Sequence, residues 1–417
     1  MINKLKSNKQ FSNLVIYGIG QGFSLITPFL VVPYILVLCG EDGYGKTVTG
    51  MAISFFLIVV IDYGIDIIGV KEVSVNRDNK EKLEKIVSTA YSARFLLLCL
   101  VLAVAAILFV TVPYFYQERK LYFLCLPILI GQFINPTWVY QGIENYNWIA
   151  FLNIFSKLIY VGGVFIFIKV SGDYIYANLW WGIGTITANC IAFVYLRTKY
   201  AISPKNTSIH EIKDYLKANF SLFFSQLFVS AQLYLPVMLL SFIAGPTIAG
   251  KYGIIDKIIG IFKTYITLFF SYVYPRVCYL IEENIKVGMH FWKRYNGANY
   301  IAIALGMVLI FYLAEPIVKY FGVDDITEIS GYLRVSLLLP LVLAISIPLK
   351  QLVLGFGFQK FYVKLTMALV IFNIIIMIPL LHFFGIYGVL VSLIVTEGLT
   401  AVLYSFAVSK QLSEKAV

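Results

Sequence analysis

The chain has 417 residues, 60% of them hydrophobic and only 13% charged, with a net charge of +11. Soluble domains are nearer a quarter charged, so this composition excludes a soluble globular protein and points to a polytopic membrane protein with little mass outside the bilayer. The positive excess raises nucleic acid as a partner. The basic residues, however, sit in short connectors between apolar runs, which is the pattern of membrane topology and not of nucleic-acid binding.

A spanning helix needs about 20 mostly apolar residues. Twelve such runs can be marked, near 12–38, 47–70, 86–111, 120–141, 148–169, 174–197, 217–243, 248–275, 297–322, 329–350, 361–384 and 386–409. The first is too long for the core of a cleaved signal, and no small-residue cleavage site follows it. Between the first and second runs, residues 40–47 read GEDGYGKT and match the phosphate-cradling pattern G-x-x-x-x-G-K-[ST]. That loop needs a buried strand before it and a helix N-terminus meeting phosphate. Here a spanning helix precedes it, so ATP is not expected and a tight glycine-rich turn is.

The basic residues alternate between the ends of these runs. Twenty-two fall at one set of ends: Lys4, Lys6 and Lys9; Lys71, Arg77, Lys80, Lys82 and Lys85; Arg197, Lys199, Lys205, Lys213 and Lys217; Arg276, Lys286, Lys293 and Arg294; Lys350, Lys360 and Lys364; Lys410 and Lys415. The opposite ends carry six: Lys46, Arg119, Lys120, Lys169, Lys251 and Lys319. The positive-inside rule then predicts twelve helices with both termini in the cytoplasm. The connector near 198–216 divides them into two six-helix bundles, 1–203 and 204–417, an all-α polytopic fold. Weak internal echoes (Pro33 with Gly43-Tyr44-Gly45, Pro236 with Gly250-Lys251-Tyr252-Gly253) fit a parallel repeat, which places a central cavity between bundles. Three pieces, 77–86, 209–217 and 279–294, read as interfacial helices or as plain extensions of the spans. Cys39, Cys99, Cys125, Cys190 and Cys278 lack metal-ligand spacing, so no disulfide or metal framework is expected.

Five basic residues remain inside the runs: Arg94, Lys157, Lys257, Lys263 and Arg334. Their acidic companions are Asp62, Asp66, Asp256 and Glu397. A lipid-facing charge at mid-depth costs about 3 kcal/mol, so these groups must pair or face water. Asp62 and Asp66, at i and i+4 on one helix face, are partners for Arg94, and Asp256 for Lys257 or a neighbour. Lys157 and Lys263 show no obvious acidic partner in their own helices and are read as lining a wet cavity. Arg334 is near enough to the end of its run to snorkel. An excess of cations in such a cavity implies an anionic substrate, with Arg94, Lys157, Lys257, Lys263 and Arg334 as the candidate residues that bind it and Asp62, Asp66, Asp256 and Glu397 as sites of charge pairing or ion coupling.

Three stretches carry a resemblance: Asp62-Tyr63-Gly64 through Lys80; Pro136-Thr137-Trp138-Val139-Tyr140-Gln141-Gly142-Ile143-Glu144; and Ala249-Gly250-Lys251-Tyr252 through Pro275-Arg276. In register over nearly the whole length, the chain resembles polysaccharide flippases of the Wzx type, in the multidrug/oligosaccharidyl-lipid/polysaccharide exporter superfamily. The second stretch matches that family's P-x-W-x-[FY]-Q-G-x-E pattern through Trp138, Gln141, Gly142 and Glu144. In the third, the family's Ala-Glu-Lys appears as Ile255-Asp256-Lys257, with a shorter acid.

The resemblance implies a non-enzymatic transporter of the bacterial inner membrane that moves undecaprenyl-pyrophosphate-linked oligosaccharide outward through a cationic cavity. It implies membrane lipids as surroundings, and a polysaccharide polymerase and a chain-length regulator as working partners. No cofactor is expected. Membrane potential and H+ or Na+ antiport through Asp62, Asp66 or Glu397 both stay open as driving forces. A multidrug exporter of the same superfamily and a membrane-embedded glycan polymerase or glycosyltransferase are the competing functions.

Overall fold

An apolar chain in hydrocarbon has to satisfy its backbone hydrogen bonds within each segment, which leaves the helix as the default element. The computed structural model describes the backbone of residues 2–200, 202 and 207–414, and side chains at 18, 20–200, 202 and 207–412. The side chains of Lys4, Lys6 and Lys9 lie outside these, as do residues Lys205 and Lys415 and the 203–204 boundary. Among the described residues the regular structure is entirely helical.

The first helices are α1 (Ile2–Asp62), α2 (Ile65–Asn76), α3 (Lys80–Thr111), α4 (Pro113–Gln117), α5 (Arg119–Ile134), α6 (Thr137–Gly142) and α7 (Tyr146–Phe167). A 3-10 turn over Ser171–Tyr176 leads into α8 (Ala177–Tyr200) and α9 (Ile209–Ala244). Then come α10 (Pro246–Glu283), α11 (Ile285–Tyr312), α12 (Ala314–Tyr320), α13 (Ile326–Ser336), α14 (Leu338–Gly355) and α15 (Gln359–Glu414). Among the described residues, nine helices are long and apolar enough to cross a membrane. α10, which carries Lys251, Asp256, Lys257 and Lys263, is not one of them.

Two of the nine are bent in ways that matter for counting passes. α1 is broken at Gly40 (φ 70°, ψ 177°) and α15 at Gly385 (φ 56°, ψ −130°). The arm of α1 over 41–62 alone rises roughly 33 Å at 1.5 Å per residue, enough for a full crossing. The expected turn at GEDGYGKT is therefore a single-residue break, with helix resuming at once. Lys46 there is tied to Asp42 (2.8 Å) and Glu118 (2.7 Å).

Other runs that read as continuous are interrupted. The second stops at Asp62, short of residue 70, because Tyr63 (φ 48°) and Gly64 (φ 81°) turn the chain before α2 begins. The fourth stops at Ile134, where Asn135-Pro136 separates α5 from α6. The interfacial candidates at 77–86 and 209–217 are the opening turns of α3 and α9. At 279–294 two helix ends meet at Asn284, whose side chain accepts from the N–H groups of Lys286 and Val287 and caps α11.

The chain forms two compact units, Met1–Met238 and Leu239–Val417. In the first, Trp138, Val139 and Tyr140 pack with Val73, Val87, Tyr91, Ala188 and Ala192. Small and polar residues set the helix contacts there, as is common without a hydrophobic drive between helices: Asn178 donates to the Thr47 carbonyl (2.8 Å) and Asn189 to the Gly131 carbonyl (2.7 Å). In the second unit, Val273, Val277 and Ile281 of α10 pack with Leu352, Val353, Tyr404 and Val408. Asn296 bonds Gln351 (3.1 Å) and Trp292 donates to the Pro348 carbonyl (3.0 Å).

Candidate functional site

In the first unit, Asp62 ends α1 and Arg94 lies on the unbroken α3, 1% exposed. Arg94 Nη2 donates to Asp62 Oδ1 at 2.7 Å and to the Gln132 carbonyl at 2.6 Å. Gln132 Nε2 donates to the other Asp62 oxygen at 2.8 Å. The chain of bonds continues to Asn135, which donates to Gln132 Oε1 (3.3 Å) and accepts from the Thr137 N–H (2.9 Å). The Tyr91 hydroxyl donates to the Ile134 carbonyl (3.0 Å). One guanidinium on a continuous helix thus holds the ends of two interrupted ones.

Asp66 is separated from Asp62 by the Tyr63-Gly64 turn, so the two do not share one helix face as their spacing implies. Asp62 is buried and Asp66 exposed, with Asp66 contributing charge toward Arg94. Lys157 of α7 is 9% exposed, and its Nζ lies 3.1 Å from the centroid of the Trp181 ring. Trp181 meets Tyr160 (5.0 Å) and Phe55 (5.7 Å) edge-on. Lys157 thus meets an aromatic cluster through the Trp181 face, an arrangement that suits a cation.

In the second unit, Lys263 pairs with Asp256 of its own helix at 3.3 Å, which corrects the expectation that it has no acidic partner there. Seven residues make nearly two turns, so the pair stays on one stripe of α10. Asp256 takes Lys263 and not the adjacent Lys257, and among the described residues Lys257 makes no ion pair. Glu397 of α15 accepts from the Ser346 hydroxyl and lies within electrostatic reach of Lys350 and Lys263. Lys350 rests against the rings of Tyr362 (4.7 Å) and Phe270 (5.6 Å). Charges of both signs from α10, α14 and α15 therefore gather in one unit. Arg334 is apart from them, bonded to Glu315 at 2.9 Å.

Comparison with known proteins gives this arrangement a family. The family described as "Polysaccharide biosynthesis protein" matches residues 11–279. The chain belongs to the polysaccharide biosynthesis protein family. Two relatives bear the name "Putative O-antigen transporter". One, from Escherichia coli (strain K12), is 23% identical over 98% of this chain and 99% of its own. The other, from Shigella dysenteriae, is 23% identical over 92% and 96%. Among solved structures, the lipid II flippase MurJ in an inward closed conformation superposes with a TM-score of 0.73 at 17% identity, covering 95% of this chain and 87% of that one. An inward-facing multidrug resistance transporter of the MATE family gives 0.72 at 12% identity, covering 95% and 98%. The polytopic helical fold is shared with both solved transporters.

Within this polysaccharide biosynthesis protein, the Trp138–Glu144 motif holds structure together. Trp138 is buried against Gly69, and a Cβ at Gly142 would sit 2.5 Å from Val73 Cγ1, so the glycine lets α6 meet α2 closely. The Tyr140 hydroxyl donates to the Ala192 carbonyl (2.6 Å). Gln141 is exposed, and Glu144 (φ 58°) forms an exposed ion pair with Arg77 at 3.3 Å. Sequence reasoning missed Gln132, Ser346 and Trp181, and counted Lys350 only as a span-end cation. Gln132 stands four residues before Pro136, where a helix end leaves a polar side chain free to reach sideways; Trp181 carries no comparable signal.

Proposed function

We propose that this polysaccharide biosynthesis protein moves a lipid-linked, anionic oligosaccharide, of the undecaprenyl-pyrophosphate type, from the inner to the outer leaflet of a bacterial inner membrane. The reading is carried by the alignment with O-antigen transporter relatives from end to end, 98% of this chain against 99% of one relative. It counts twelve crossings: the nine apolar helices, two more from the breaks at Gly40 and Gly385, and α10.

The lipid tail stays in hydrocarbon while the pyrophosphate and sugars cross with the protein's help. Lys257 meets the pyrophosphate as a charge-assisted donor. Lys263 exchanges Asp256 for it, an exchange made cheap by a pair that is only partly buried. Lys157 lends positive potential from its aromatic cluster. Arg94 and Arg334, each bound to a carboxylate, keep helices in place. An inside-negative potential drives anion exit at about 2.3 kcal/mol per charge per 100 mV; H+ or Na+ exchange at Glu397 is the competing source. A polysaccharide polymerase and a chain-length regulator act on the delivered glycan.

The test is complementation of a strain lacking its own O-antigen transporter. The wild-type chain should restore surface glycan, and Lys257→Ala and Lys263→Ala should lower it at unchanged protein level. The likeness to a MATE transporter favours one rival, drug export. Surface glycan left absent by the wild type, together with raised tolerance to cationic drugs, would establish that rival.

A further inference from the structure

The end of α10 and the opening turns of α11 enclose a groove of about 560 Å³ that belongs wholly to the second unit. Tyr272, Arg276 and Tyr279 line it from α10, and Phe291 and Tyr295 from α11. The spacing 272, 276, 279 is one helix stripe, and 291 and 295 are neighbours one turn apart. The Arg276 guanidinium lies 5.3 Å from the Tyr279 ring centroid, and the Phe291 and Tyr295 rings are 4.2 Å apart. Tyr272 is 76% exposed and Tyr279 58%. Pro275, also in the lining, cannot return an N–H to the Ser271 carbonyl, which leaves that oxygen short of its helical donor.

An interfacial aromatic belt explains single outward rings. It does not explain rings from two helices lining one groove together with a guanidinium. Guanidinium presents a planar fork of donors that fits phosphate oxygens in pairs. Aromatic faces carry negative charge density that attracts the polarised C–H faces of a sugar. On α11 the exposed Lys286, Lys293 and Arg294 outnumber the exposed Glu282 and Glu283 that end α10, so the junction of the two helices carries a positive excess. Arg276 is thirteen residues beyond Lys263, roughly 20 Å along α10, so the groove is separate from the in-span charges.

We infer that this groove is a docking site for the pyrophosphate-sugar head of the lipid-linked glycan, used apart from the in-span cations; this rests on the flippase reading. Arg276 binds the pyrophosphate, and the rings of Tyr272, Tyr279 and Tyr295 pack on the first sugar.

The probe is a synthetic short-chain polyprenyl-pyrophosphate N-acetylglucosamine, titrated onto the full chain in nanodiscs by native mass spectrometry. Polyprenyl pyrophosphate without sugar and phosphatidylglycerol serve as comparisons. Arg276→Gln should weaken both pyrophosphates about tenfold, the scale of a lost charged hydrogen bond, with Arg276→Lys recovering part. Tyr272→Ala with Tyr279→Ala should weaken the sugar-bearing probe more than the sugar-free one. Phosphatidylglycerol should bind alike in all. Unchanged probe binding in Arg276→Gln, or an equal loss for phosphatidylglycerol, overturns the site while leaving the flippase reading intact. Wild-type protein that binds neither pyrophosphate overturns both.

Discussion

Arg94 touches three parts of the first unit at once: the end of α1 through Asp62, the end of α5 through Gln132, and the Tyr91 ring 5.5 Å away. Among the described residues its buried Nε and Nη1 find no hydrogen-bond partner, so the Asp62 carboxylate is its principal compensation. Removing either partner leaves a buried charge alone. Arg94→Ala is therefore expected to destabilise the protein by roughly 3–5 kcal/mol, and Asp62→Ala by a similar amount, read as thermal unfolding in detergent. The double variant Asp62→Leu with Arg94→Met should be closer to wild type than either single one, because desolvation of both charges disappears together. Equal and additive losses would mean that the pair is not the unit holding these helix ends.

Helix breaks, more than helix lengths, give this chain its shape at the level of elements. Gly40 occupies a region of backbone space (φ 70°, ψ 177°) that is essentially closed to residues with a Cβ. Gly40→Ala should cost roughly 1–3 kcal/mol in thermal stability, although no atom lies within 4 Å of the added methyl. A neutral result would place the break under control of its surroundings and not of the glycine.

Apolar periodicity located the spans well because every crossing must be apolar and helical. It located the breaks poorly. Tyr63 adopts φ 48° against its own preference, held by the Asp62 bond before it and stacking on Phe223 at 4.4 Å, and both are contacts distant in sequence. The Asn135-Pro136 break was marked by its proline but hidden in an apolar run. The Arg94–Asp62 pair was legible from the rarity of buried charge. The Asp256–Lys263 pair was not, because a spacing of seven spans two turns, beyond the i,i+3 and i,i+4 neighbours that usually meet on a helix. The in-span cations were legible as a set, while their sorting into paired, aromatic-bound and unpaired groups depends on side-chain positions that composition does not fix.

For the whole molecule, most of the positive charge sits at span ends, and much of the in-span charge is neutralised locally. Arg94, Lys263 and Arg334 each have a carboxylate, Lys157 has an aromatic face, and Lys257 has no ion pair among the described residues. A transporter of anions gains from this distribution, since a cavity of bare cations would be costly to hold in an empty state. A protein built only to persist in the membrane would gain nothing from a lysine of α10 that lacks an ion pair among the described residues. Leaflet exchange measured on the purified full chain in liposomes tests this most directly. A fluorescent polyprenyl-pyrophosphate oligosaccharide in one leaflet is quenched from outside by an impermeant reductant. The account predicts that wild-type protein exposes the protected pool in response to an imposed potential and that Lys257→Ala slows this at least severalfold. A protected pool that stays protected with wild-type protein, under potential and under H+ and Na+ gradients alike, would contradict it.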